Sequence, residues 1–245
     1  MSNLFHEILY RPLFNALIFL YQHITLADLG LAIILLTVII RFILLPLFYK
    51  SFKNQTIMQK LQPEIQKIQH DHKDNREKQA QALMALYKEH KVNPFSGFLM
   101  IFIQLPILIA LYRVFITGLS DESLSDLYSF MVAPMHIDPL FLGGIDLAMP
   151  SMLIVVLAAI FQYWQGKISL AKVDKNKKDQ PKSIAVSMGR QMVFIGPLLT
   201  FIILRGLPAA VGLYWLTTSI FSICQQYYIN KQVYGNNSGE NKKIS

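Results

Sequence analysis

Apolar and polar stretches alternate along this chain in blocks of membrane-spanning length. The run Leu29 to Phe48, LGLAIILLTVIIRFILLPLF, is interrupted by a single charge, and roughly 20 such residues at about 1.5 Å each suffice to cross a hydrocarbon core. It predicts a first span over residues 29–49. Further apolar runs predict a second span from about Phe95 to Thr117, a third from about Leu147 to Trp164, and a fifth from Ala209 to Ile229. The fourth, roughly Gln191 to Leu204, is short and takes in Arg190 even when counted back to Val186, which implies a locally thinned bilayer. Residues 94–230 thus hold spans two to five with their loops. The predicted fold class is an all-α membrane protein with five transmembrane helices, a cytoplasmic helical hairpin and an amino-terminal interfacial helix.

The hairpin is predicted over residues 50–93. Ile57, Leu61, Ile65 and Ile68 recur at helical spacing, as do Ala80, Leu83, Met84 and Tyr87, with the polar turn HDHKDN between them. The two stripes pack on each other, or in part offer a docking surface for another protein. Residues 1–28 read as a helix on the outer face, with Phe5, Ile8, Leu9, Leu13, Ala16, Leu17 and Leu20 on one side; an additional span or an uncleaved signal anchor is the alternative. Leu124, Leu127, Tyr128 and Met131 suggest a second short amphipathic helix. Residues 231–245 are polar and expected to be disordered.

Charge sets the topology. Lysine and arginine outnumber acids over residues 50–93 and again over 167–190, whereas residues 118–146 hold Asp121, Glu122, Asp126, Asp138 and Asp146 without a single lysine or arginine. The positive-inside rule then puts the hairpin, the 167–190 loop and the carboxyl terminus in the cytoplasm, and the amino terminus outside. The formal net charge of +8 matches this topology and anionic lipid, and no direct nucleic-acid substrate is expected. The one cysteine, Cys224, lies in an apolar segment, which excludes a disulfide framework and a thiolate metal site. His70 and His72 with Asp71 and Asp74 sit at a hydrated turn and read as solvated.

The chemistry concentrates on polar residues inside the spans. Arg41 falls about nine residues before Lys50, roughly 13 Å along a straight helix. An arginine at such depth costs about 2.5 to 3.5 kcal/mol or more, so it needs water or polar partners; snorkelling to a headgroup is a long reach for one side chain. Gln104 is level with it on an antiparallel second span. On the fifth span Trp215, Ser219, Ser222 and Gln226 form one stripe and Tyr214, Thr218 and Gln225 the adjoining one, with Leu213, Leu216, Ile220 and Ile223 opposite. Gln162 lies nearer the cytoplasmic interface. Because these groups share the cytoplasmic half while the outer half is apolar, they predict a hydrated groove open to the cytoplasm and closed to the outside, unlike a through-pore. No HExxH, G-x-S-x-G or Walker motif is present, so no enzyme and no cofactor is implied.

VIIRFILLPL, MQKLQPEIQKIQ, ALYKEHKVNP, IQLPILIALYRV, LPAAVGLYW and CQQ, in that order from Leu29 to Gln226, resemble the YidC-type membrane protein insertases, a family shared with mitochondria and chloroplasts. The resemblance implies a five-span core in a bacterial plasma (inner) membrane, with a groove arginine matched by Arg41, a groove glutamine matched by Gln162 and a fifth-span tryptophan matched by Trp215. It also implies nascent membrane proteins as substrates, and the ribosome, the Sec translocon and the signal-recognition machinery as partners beside membrane lipids. This sequence departs from many members in showing neither a large extracytoplasmic domain nor a lipobox cysteine, so the resemblance points to no particular envelope.

A half-deep hydrated groove would let a segment shed water from its polar flank before its apolar part meets lipid. Arg41 would attract acidic residues of the translocated tail. The alternative is a small-solute or anion transporter using Arg41 as its site, against which stand the odd span count and the lack of an intramembrane carboxylate.

Overall fold

A computed structural model describes residues 3–117, 125–169 and 184–240. The chain is helical along most of this length. It opens with α1 (Asn3–Phe5), a π-helical turn (His6–Tyr10) and α2 (Arg11–His23). Pro12 supplies no N–H for the carbonyl of Ile8, and the wider turn absorbs that missing bond. It also shifts the phase of the helix, so the predicted apolar face is only partly right. Ile8 is exposed, whereas Phe14 and Ile18 are fully enclosed together with Leu17 and Tyr21, packed on α3 (Leu29–Ile43) and α7 (Ser96–Thr117).

Between α2 and α3 the backbone turns through left-handed Leu26 and Ala27, with φ of 53° and 62°. Asp28 then caps α3, accepting from Leu31 N at 2.8 Å, and its second oxygen accepts from Leu142 N at 2.7 Å.

The apolar run 29–48 is not one straight helix. It breaks at Leu44 (φ −86°, ψ 0°), and α4 (Leu45–Lys60) departs at 69° from α3. Pro46 explains the break: it cannot donate to Phe42, yet sits without penalty in the first turn of a new helix. Arg41 therefore lies two residues from the end of α3, and the straight path from it to Lys50 is folded over.

Beyond α4 the hairpin forms as α5 (Gln62–Asp71) and α6 (Arg76–Glu89). Asn75 caps α6 by accepting from Lys78 N at 3.0 Å. A small core of Leu61, Ile65, Leu86 and Val92 joins the arms, with Ile57, Ile68, Leu83 and Tyr87 against it. Leu86, not Ala80 or Met84, faces inward; the latter two are exposed.

Of the expected outer amphipathic helix, Leu124 lies outside the described residues, and Ser125–Asp126 form only a 3₁₀ turn. Helix gives way there because the chain is fastened residue by residue to α2. Asn15 donates to the carbonyl of Asp126 (3.0 Å) and accepts from Tyr128 N (2.7 Å), and Gln22 donates to the carbonyl of Val132 (2.9 Å). Farther on, Leu140–Phe141 (β1) pairs antiparallel with Ile145–Asp146 (β2), Leu140 opposite Asp146.

The remaining helices are α8 (Met152–Ile168), α9 (Ile184–Leu204) and α10 (Ala209–Glu240). The first amides of α10 are satisfied by the carbonyls of Met149 (2.9 Å, from Ala209) and Leu147 (3.1 Å, from Ala210). No proline follows Pro208, and the helix continues through residues 231–240, so this part of the expected disordered tail is helical; residues 241–245 lie outside the described residues. Most of the expected 167–190 basic loop also lies outside them, or within the start of α9.

Helix α10 is the central element, packed on α3, α4 and α8 and touching α7 and α9. The main apolar core joins Phe14, Ile33, Leu111, Val155 and Val211 at the end of the bundle that carries residues 125–149. Among the described residues no single helix is long and apolar enough to cross a membrane; the bent pair α3 and α4 together meets the length and composition of a broken span.

Candidate functional site

Arg41 comes from the last turn of α3, and only 4% of it is exposed. The helix places it opposite α10, where its Nη2 donates to Ser222 Oγ (3.0 Å) and to the carbonyl of Thr218 (3.3 Å). The bend at Leu44 brings the ring of Phe48 over the guanidinium at 4.3 Å, a cation–π contact strengthened by desolvation. Arg41 Nη1 and Thr218 Oγ1 are buried with no hydrogen-bond partner among the described residues. Thr37, one turn before Arg41, satisfies its hydroxyl on the carbonyl of Ile33 at 2.6 Å.

The other predicted residues gather along α10 in separate pairs. Gln104 of α7 donates to Tyr214 Oη and not to Arg41. Trp215 donates its indole N–H to Gln162 Oε1 of α8 at 3.2 Å. Ser219, Ser222, Gln225 and Gln226 are buried, so the polar stripe of α10 faces protein. Leu213, assigned to the opposite face, is also buried in the core, and the exposed side is marked by Ile220 and Tyr227.

A second polar knot, absent from the sequence reading, ties α4 to α10. Gln226 Nε2 donates to Thr56 Oγ1 (3.0 Å) and Asn230 Oδ1 (2.9 Å), and Thr56 donates to the same Asn230 oxygen (3.1 Å). Phe48, Phe52 and Ile229 pack beside it. The signal was the spacing Phe48, Phe52, Thr56, one helical face read four residues at a time. Phe48 over Arg41 could be found only by folding the chain at Pro46.

The arrangement is an apolar bundle at one end and, at the other, a cation held by a serine hydroxyl, a backbone carbonyl and an aromatic ring. A family model for the 60Kd inner membrane protein matches residues 19–237, nearly the whole of the chain that builds this site. The chain belongs to this family, the YidC-type membrane protein insertases. It is 36% identical over 204 residues to a protein of Clostridium tetani named membrane protein insertase YidC, covering 82% of this chain and 81% of that one. Relatives of the same name from Geobacter sulfurreducens (32% identical) and Rickettsia bellii (31%) are matched over 91% of this chain, which spans 37% and 39% of their length. YidC family membership thus agrees with the resemblance carried by the motifs around Arg41, Trp215 and the hairpin.

Proposed function

We propose that the protein is a membrane protein insertase of the plasma membrane. It takes nascent segments at the polar, hairpin-bearing end of the bundle and releases them into the bilayer. The observation that carries this reading is the state of Arg41: a charge enclosed between α3 and α10 whose Nη1 has no hydrogen-bond partner among the described residues. Buried polar atoms call for partners, and water or the polar flank of an entering chain supplies them. The names of the relatives favour insertion over anion transport.

In this reading Arg41, Gln104, Gln162, Trp215, Thr218, Ser219 and Ser222 line the substrate path. In the structure as it stands they are paired or enclosed, so entry of a substrate means parting α10 from α3, α7 and α8. The Trp215–Gln162 and Gln104–Tyr214 bonds are then exchanged for bonds to substrate or water, which keeps the cost of opening low. The apolar end formed by Ile33, Leu111 and Val211 stays closed and forces lateral exit into lipid. Five spans, an external amino terminus and a cytoplasmic hairpin meeting the ribosome, Sec translocon and signal-recognition machinery complete the proposal.

The test is reconstitution. Proteoliposomes holding the purified chain should insert a single-span substrate, scored by protease protection of its translocated tail, faster than empty liposomes of the same lipid. Equal rates would overturn the reading.

A further inference from the structure

A cavity of about 610 Å³ lies where α4 meets the start of α7. Its walls are fixed to each other, because Ser51 donates to the carbonyl of Ser96 at 2.6 Å and both residues are buried. Leu47, Phe95 and Phe102 give it an apolar interior; both aromatics are bulky and about 70% exposed. Lys50 and Asn54 stand at the polar side. A second cavity of about 360 Å³ continues from it, sharing Asn54, Asn93 and Phe95, and adds Lys88, Lys91 and Tyr87 from the end of the hairpin. The two are lined by three lysines and by no carboxylate among the described residues.

We infer that this site binds one anionic phospholipid of the cytoplasmic leaflet, its phosphate near Lys50, Lys88 and Lys91 and an acyl chain along Leu47 and Phe102. The inference rests on the reading that the hairpin is cytoplasmic, which sets Lys50 at the membrane surface. Two features select a lipid. Uncompensated positive charge complements a phosphodiester, and basic pockets between helices at the cytoplasmic surface suit anionic headgroups. The exposed aromatics beside the lysines offer apolar surface that a soluble anion would leave in water. Asn93 already spends its side-chain oxygen on Phe95 N (2.8 Å), which holds the turn joining the hairpin to α7. A lipid seated there would brace the hairpin against the spans.

The experiment is native mass spectrometry of the purified full chain titrated with phosphatidylglycerol or phosphatidylcholine of identical acyl chains, with glycerol phosphate as the headgroup-only probe. The wild type should retain one phosphatidylglycerol in preference to phosphatidylcholine, and glycerol phosphate should not displace it. Each of Lys50→Gln, Lys88→Gln and Lys91→Gln should weaken retention by about fivefold. These side chains are exposed, so the fold should survive. Leu47→Trp, which fills the cavity and keeps the charges, should lower retention as well. Lys73→Gln with Lys78→Gln at the hairpin tip should leave it unchanged. Equal loss from the tip variant, no preference over phosphatidylcholine, or displacement by glycerol phosphate would each overturn the proposal. So would failure of the wild type to hold lipid, which would leave the lysines to an acidic peptide. Lipid retention is read without an insertion assay, so its failure leaves the insertase reading standing, and the converse also holds.

Discussion

Arg41 and Ser222, 181 residues apart in sequence, meet at 3.0 Å across the interface of α3 and α10, with the serine hydroxyl accepting from the guanidinium. Ser222→Ala would leave a second buried nitrogen of Arg41 dependent on one 3.3 Å contact to Thr218. The expected cost is about 1 to 3 kcal/mol in the unfolding free energy measured in mixed micelles. No change would mean that Phe48 and the Thr218 carbonyl hold Arg41 unaided.

Asn15 fastens the amino-terminal helix to the loop that follows α7. It is 3% exposed and makes three hydrogen bonds, donating to Arg11 O and Asp126 O and accepting from Tyr128 N. Asn15→Ala should destabilise by about 1 to 3 kcal/mol because backbone groups lose their partners. Amide exchange should accelerate over residues 126–132 while α8 and α10 stay protected.

Glycine is required at position 30 for space. A Cβ there would run into the ring of Phe141 on β1. Gly30→Ala should cost about 1 to 3 kcal/mol by overpacking. Adding Phe141→Ala should recover part of that loss, and a double variant no better than the sum of the two singles would show that the ring is not the obstacle.

Thr56, fully buried, ties the last part of α4, just before the hairpin, to α10. Thr56→Val keeps the shape and removes both hydrogen bonds to Gln226 and Asn230. Faster exchange is expected in α4 and at residues 226–230, with the Leu61, Ile65 and Leu86 core of the hairpin intact. Unaltered exchange in α4 would show that Phe48, Phe52 and Ile229 suffice.

Apolar periodicity located most of the helices, because that signal is local. Arg41 stood out for the same reason, a charge in an apolar run. What escaped were the contacts made by bends. The Pro46 break turns α4 across α10, so Phe48 caps Arg41 and Thr56 meets Gln226, although the run 29–48 reads as straight. The π turn before Pro12 likewise rotated the buried face toward Phe14 and Ile18. The polar residues of the two adjoining stripes of α10 were legible as a group but not as pairs: Gln104 reads as level with Arg41 and joins Tyr214 instead, because partner choice depends on the rotation of α7 about its axis.

We propose that the charge of Arg41 steers substrate, and reconstituted insertion of two matched single-span substrates, one with an acidic and one with a neutral translocated tail, tests this. Arg41→Lys, Arg41→Ala and Arg41→Glu would be compared at equal protein level. Attraction to a carboxylate needs the charge more than the fork geometry, so Arg41→Lys should keep more activity than Arg41→Ala, and Arg41→Glu should keep least. The acidic-tail substrate should lose most, by about tenfold for Arg41→Ala if the attraction is worth roughly 1.4 kcal/mol, while the neutral-tail substrate changes little. Equal loss for both tails would contradict the account and reduce Arg41 to a structural tie between α3 and α10.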